Sequence, residues 1–144
     1  MTVEPTHHDE RHVLEASALL RLCLADGPLP ERLEAVMERG CRGEGLLLVP
    51  DLCWLEMTSV LSRQISGAVL SADEAPELLA EPQRLPLRTM ASMELCSTVL
   101  QLSQEQRISV YDATYLALAL RFGAIFLNAD QQLPGAAQRT GCGG

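Results

Sequence analysis

Apolar and polar positions alternate along this chain in blocks that predict a regular succession of strands and helices. His12-Val13-Leu14 is a short apolar opening that suits a strand, and Ala16 to Ala25 suits a helix. Asp26-Gly27-Pro28 breaks that helix. Pro30 to Arg39 forms the next helix, with Pro at its start and Glu31 in its first turn, and Gly40 to Gly45 reads as a Gly-rich turn. Leu46-Leu47-Leu48-Val49 is apolar without interruption, as expected of a strand covered on both faces. Pro50-Asp51 then opens a helix through about Ser66. Ser71-Ala72-Asp73-Glu74 has the form of a capping box and begins a helix to about Glu81. A strand is expected over Pro86 to Met90, and helices over Ser92 to Gln106 and Ser109 to Phe122, the last ended by Gly123. Ala124 to Leu127 is a final short strand, and a weak helix follows from Gln131.

This alternation predicts one domain, a three-layer α/β/α sandwich on a mostly parallel central sheet. The domain is expected over residues 12–140, after a flexible leader at 1–11 and before a loose tail at 141–144. In such sheets, sites gather at the carboxyl ends of the strands.

Composition narrows the picture. The chain has 144 residues, 47% of them hydrophobic and only 3% aromatic, so Leu, Ala, Val and Met must fill the core. Its formal net charge is −8, and all 11 basic residues are Arg. Such a chain binds polyanions poorly unless positive charge is supplied locally, for example by a divalent cation. The missing Lys excludes a P-loop and argues against a receiver-type phosphoacceptor, which normally keeps a Lys beside the phosphate. No G-x-G-x-x-G suggests a dinucleotide. The five Cys residues include no C-x-x-C pair and read as reduced thiols of a cytoplasmic protein. No apolar run approaches the roughly 20 residues needed to span a bilayer, so no membrane partner is expected.

Four acids then stand out. Glu15 directly follows the first strand and Asp130 follows the last. Glu56 lies in the helix after the second strand, on a face with Leu52, Leu55 and Val60, where a carboxylate needs a partner or a metal. The alternative is that Glu56 reaches solvent or Arg63 at the edge of that face. Asp112 stands in Ser109-Val110-Tyr111-Asp112, where it either caps a helix or faces a site. Together these hard oxygen donors suit Mg²⁺ or Mn²⁺. Packed carboxylates would otherwise take up protons. Trp54 reads as a core or interface residue. Arg63, Arg84, Arg88, Arg107, Arg121 and Arg139 are candidates for phosphate contact, although each taken singly suits a solvated surface.

Val13-Leu14-Glu15-Ala16-Ser17, Val49-Pro50-Asp51-Leu52 with Leu55-Glu56, Ser109 to Ala119, and Asn128-Ala129-Asp130 with Leu133 occur in the order of the successive motifs of PIN domains. The resemblance is strongest to the VapC-type toxins of bacterial toxin–antitoxin pairs and covers about residues 12–140. It implies a Mg²⁺- or Mn²⁺-dependent endoribonuclease that hydrolyses RNA phosphodiester bonds, acts as a homodimer and is blocked by a cognate antitoxin. By position it implies Glu15, Glu56, Asp112 and Asp130 as the catalytic and metal-holding acids, with Ser17 and Asn128 in support. Glu15 stands where the family has Asp. That departure keeps a second reading open, a PIN-fold binding or regulatory module with weakened catalysis.

Overall fold

The computed structural model describes residues 10–24, 29 and 31–129. Four parallel strands, β1 (Arg11–Leu14), β2 (Leu46–Pro50), β3 (Leu87–Met90) and β4 (Ile125–Leu127), form one sheet in the order β3-β2-β1-β4. Helices α1 (Ala16–Leu24) and α2 (Glu31–Cys41) connect β1 to β2, and α3 (Leu52–Ser66) and α4 (Ala75–Gln83) connect β2 to β3. A 3₁₀ turn (Ser92–Leu95), α5 (Cys96–Gln106) and α6 (Val110–Phe122) lead on to β4. The expected α/β/α sandwich on a parallel sheet is the fold found.

The central strands show why. Val13 and Leu14 of β1, and Leu47, Leu48, Val49 and Pro50 of β2, are all buried, so side chains on both faces of the sheet are covered. Burying a Leu or Val side chain in this way contributes about 1.5–3 kcal/mol. β3 lies at an edge, and its Arg88 and Thr89 are exposed. Helix α6 packs against β1, β2 and β4, with α5 beside it, while α1, α3 and α4 pack against one another. The middle of α6 is buried without a break from Ala113 to Ala119, and its small alanines bring the helix close to the sheet.

The strand order sets the position of the site. The chain moves outward from β1 to β2 to β3, then crosses back to place β4 on the other side of β1. The order therefore reverses between β1 and β4, the kind of point at which parallel α/β sheets open a crevice beyond the carboxyl ends of their strands. Leu14 pairs with Leu127 there, and the Glu15 N–H continues the ladder by donating to the Leu127 carbonyl at 3.0 Å.

Some expectations shift. Helix α2 runs through Gly40 to Cys41, so the expected turn begins later. Gly40 is required where it stands, because a Cβ at that position would collide with the buried Leu47 side chain of β2. α4 starts at Ala75, and the Ser71 hydroxyl accepts from Asp73 N at 3.1 Å in a turn that precedes the helix. β1 begins at Arg11, inside the span expected to be leader. Residues 1–9 of the leader, the helix from Gln131 and the tail lie outside the described residues.

Candidate functional site

The three acids within the described residues stand on three different parts of the fold. Glu15 is the residue between β1 and α1, where its carbonyl accepts from Ala18 N at 3.0 Å and so starts the helix. Its half-buried carboxylate accepts a hydrogen bond from the Ser17 hydroxyl at 3.2 Å. The same hydroxyl accepts from Ala129 N at 3.2 Å. Ser17 therefore ties Glu15 to the segment that leaves β4, in which Asn128 is half-buried. Asp130 lies outside the described residues.

Glu56 projects from the second turn of α3. The buried face of that helix carries Cys53, Met57 and Leu61, and Leu55 is 71% exposed. The apolar stripe is thus rotated from the Leu52-Leu55-Val60 face read in the sequence, and Glu56 stands half-buried at its edge. It therefore still reaches solvent, as one reading of the sequence expects, and its hydrogen-bond partner is not Arg63. Its Oε1 accepts a hydrogen bond from the Tyr115 hydroxyl at 2.6 Å. Burial raises the Glu56 pKa above the ordinary carboxylate value, the Tyr115 bond opposes that rise, and the nearby charge of Asp112 adds to it.

Asp112 is half-buried in the first turn of α6, three residues before Tyr115, so the two share a helix face. The Ser109 hydroxyl accepts from Asp112 N at 3.0 Å and caps the helix. Beneath the acids lies Cys53, fully buried. Burial pushes its thiol up to about 12, with Glu56 and Glu15 both adding to the rise while Tyr115 opposes it. Glu56 thus feels the charge of Asp112, and Cys53 feels those of Glu56 and Glu15. Among the described residues, no three His, Cys, Asp or Glu side chains stand together as a ready-made metal-ligand group.

Tyr115 is the residue that sequence reasoning missed. An aromatic on a helix face reads as core, and Tyr115 is core: it is 1% exposed and meets Phe126 edge-on with ring centroids 6.0 Å apart. Its hydroxyl is what joins it to the acids. The available signal was its spacing of three from Asp112.

Other candidates have structural partners. The Asp51 carboxylate accepts from the Ser92 hydroxyl, and its N–H donates to the Met90 carbonyl. Trp54 is half-buried, and its Nε1–H donates to Thr89 Oγ1 at 3.1 Å, which ties α3 to β3. Arg84 pairs with Glu77 at 2.7 Å and Arg121 with Glu94 at 3.6 Å, both in exposed positions. Arg63, Arg88 and Arg107 are exposed, and Arg139 lies outside the described residues.

Comparison with known proteins extends this geometry. Ribonuclease VapC3 of Pyrobaculum aerophilum is 29% identical over 123 residues, spanning 84% of this chain and 90% of that protein. The crystal structure of PAE2754 from Pyrobaculum aerophilum superposes with a TM-score of 0.68 at 19% identity, covering 89% of this chain and 80% of the other. Mycobacterium tuberculosis VapC20, a sarcin–ricin loop cleaving toxin, superposes with a TM-score of 0.63 at 16% identity, covering 87% of this chain and 94% of the other. Those two structures share the fold. The PIN domain model matches residues 12–138, from the first buried residue of β1 to beyond β4. A match of that extent takes in every strand and the whole crevice, and with it this chain belongs to the PIN domain family.

Proposed function

We propose that this chain is a divalent-metal-dependent endoribonuclease, the toxin of a toxin–antitoxin pair, acting on RNA as a homodimer in the cytoplasm. Among the described residues, no helix is long and apolar enough to cross a membrane. The observation that best supports the reading is the meeting of Glu56 and Asp112, two half-buried acids from different helices whose charges oppose each other. Like charges brought near each other in this way are characteristic of functional and cation-binding sites. The names of Ribonuclease VapC3 and of the VapC20 toxin support RNA as the substrate class.

The donor set fits a hard cation. Glu15, Glu56 and Asp112 offer carboxylate oxygens, and Asp130 completes the set by sequence position. These four would hold Mg²⁺ or Mn²⁺, which when bound lowers the pKa of a water and offsets the charge of a phosphate. Around them the chain's own residues orient the acids: Ser17 holds Glu15 and ties it to the segment that leaves β4, where Asn128 stands. The overall negative charge leaves RNA binding dependent on that cation and on exposed arginines.

The test is cleavage of a mixed RNA pool with added Mn²⁺, compared with the same protein in EDTA. Metal-dependent cutting that Asp112→Asn abolishes supports the reading, and cutting that ignores both EDTA and Asp112→Asn overturns it. Glu15 favours a second reading, a binding module with weakened catalysis, because its carboxylate is one methylene longer than the family's Asp and turns back to Ser17. Activity that appears only in Glu15→Asp would select this second reading.

A further inference from the structure

We propose that Tyr115 is a positioning residue that leaves Glu56 a one-oxygen donor, and so favours a small octahedral cation, Mg²⁺ or Mn²⁺, over Ca²⁺. The proposal rests on the reading of Glu56 as a metal-holding acid. It starts from the 2.6 Å hydrogen bond between the Tyr115 hydroxyl and Glu56 Oε1. A hydroxyl bound to a carboxylate is among the stronger neutral-donor bonds, and its length is typical of that class. Tyr115 cannot easily turn away from it. The ring is 1% exposed, packs edge-on against Phe126 of β4, and lies in the unbroken buried stretch of α6. The phenol is therefore held by its buried ring and by Glu56.

The consequence for a bound cation follows from the number of oxygens left. With Oε1 engaged by Tyr115, only Oε2 stands outside that bond. Mg²⁺ requires near-octahedral coordination at about 2.0–2.1 Å and accepts single oxygens, whereas Ca²⁺ takes about 6–8 oxygens at longer range and often uses both from one carboxylate. Oε1 keeps a second lone pair, but a cation there would have to share the oxygen with the phenol, so Glu56 is biased towards binding through Oε2 alone, which suits the first kind of ion and handicaps the second. Residues that orient a ligand in this way typically govern about 10- to 100-fold in metal affinity.

The experiment measures Mn²⁺ and Ca²⁺ dissociation constants by calorimetry on the full chain, with circular dichroism to check the fold. Tyr115→Phe keeps the ring and its contact with Phe126 while removing the hydroxyl. We expect it to weaken Mn²⁺ binding about 10-fold and Ca²⁺ binding less, so that the ratio of the two constants moves towards Ca²⁺. An unchanged ratio in a folded Tyr115→Phe overturns the proposal. A second measurement needs no variant: Ca²⁺ competing with Mn²⁺ on the unaltered chain at equal concentration also overturns it. Glu56→Gln separates this inference from the reading beneath it. If Glu56→Gln binds Mn²⁺ normally, the metal-holding assignment of Glu56 fails. If Glu56→Gln loses Mn²⁺ while Tyr115→Phe keeps the original ratio, only the positioning role fails.

Discussion

Ser109→Ala and Asp112→Asn are neighbouring changes whose effects separate a helix cap from a site. Ser109 Oγ accepts the Asp112 N–H at 3.0 Å, and removing that acceptor leaves a first-turn amide without its partner. The loss is worth about 1 kcal/mol, which lowers Tm by about 3–5 °C for a domain of this size. Asp112→Asn keeps the side-chain shape and removes its charge. It forfeits an interaction with the helix dipole worth about 0.3–1 kcal/mol, and it relieves the repulsion that Asp112 imposes on Glu56. The two effects oppose each other, so the metal-free variant should stay within about 0.5 kcal/mol of the parent. Cleavage should respond in the opposite way. A direct metal-holding acid should lose at least the upper end of what a supporting residue loses, about 100-fold, while Ser109→Ala should retain most of its activity. Urea denaturation in EDTA gives the first quantity, and RNA cleavage in Mn²⁺ gives the second. The reasoning is refuted if Asp112→Asn loses as much stability as Ser109→Ala and still cuts RNA at the parent rate.

Three further outcomes are expected. Glu56 has a raised pKa in the folded protein, so its ionisation opposes folding above that value, and the penalty disappears as pH falls through the folded value towards the ordinary one. Metal-free Glu56→Gln should therefore be more stable than the parent at neutral pH and lose that advantage on acidification, as read from urea midpoints across pH. Gly123 ends α6 at φ 58°, where its N–H reaches the Ala119 and Leu120 carbonyls, and Gly123→Ala should cost about 1 kcal/mol by thermal melting. Leu48→Ala in the fully buried β2 should cost about 2–5 kcal/mol by the same measurement and leave the metal preference unchanged.

The parts of the fold that could be read in advance are those whose signals are local. Ser109 and Gly123 bound α6 by hydrogen bonds made within a turn or two, and the Leu46 to Val49 run needs only its own apolarity to mark a doubly covered strand. Other features depend on distant partners. Gly40 reads as a turn because the reason for its lack of a side chain is Leu47, on the next strand. The sequence points to an α3 stripe through Leu55 because two helix faces have similar apolarity, and only packing decides that Cys53, Met57 and Leu61 turn inward. The site divides along the same line. Glu15, Glu56 and Asp112 stand out as charges in apolar settings, whereas the Tyr115 hydroxyl becomes meaningful only once α3 and α6 are side by side. The strand order, which creates the crevice, has no local signature.

The placement of β4 also governs timing during synthesis. β1 is made before the other three strands, yet its neighbour on one side comes more than a hundred positions later, and the Ser17–Ala129 bond spans 112 residues. A nascent chain can pair β1, β2 and β3 as they emerge, but the crevice has only one wall until Ile125–Leu127 arrives. A chain halted before that point carries Glu15, Glu56 and Asp112 without the strand whose Leu127 carbonyl accepts the Glu15 N–H.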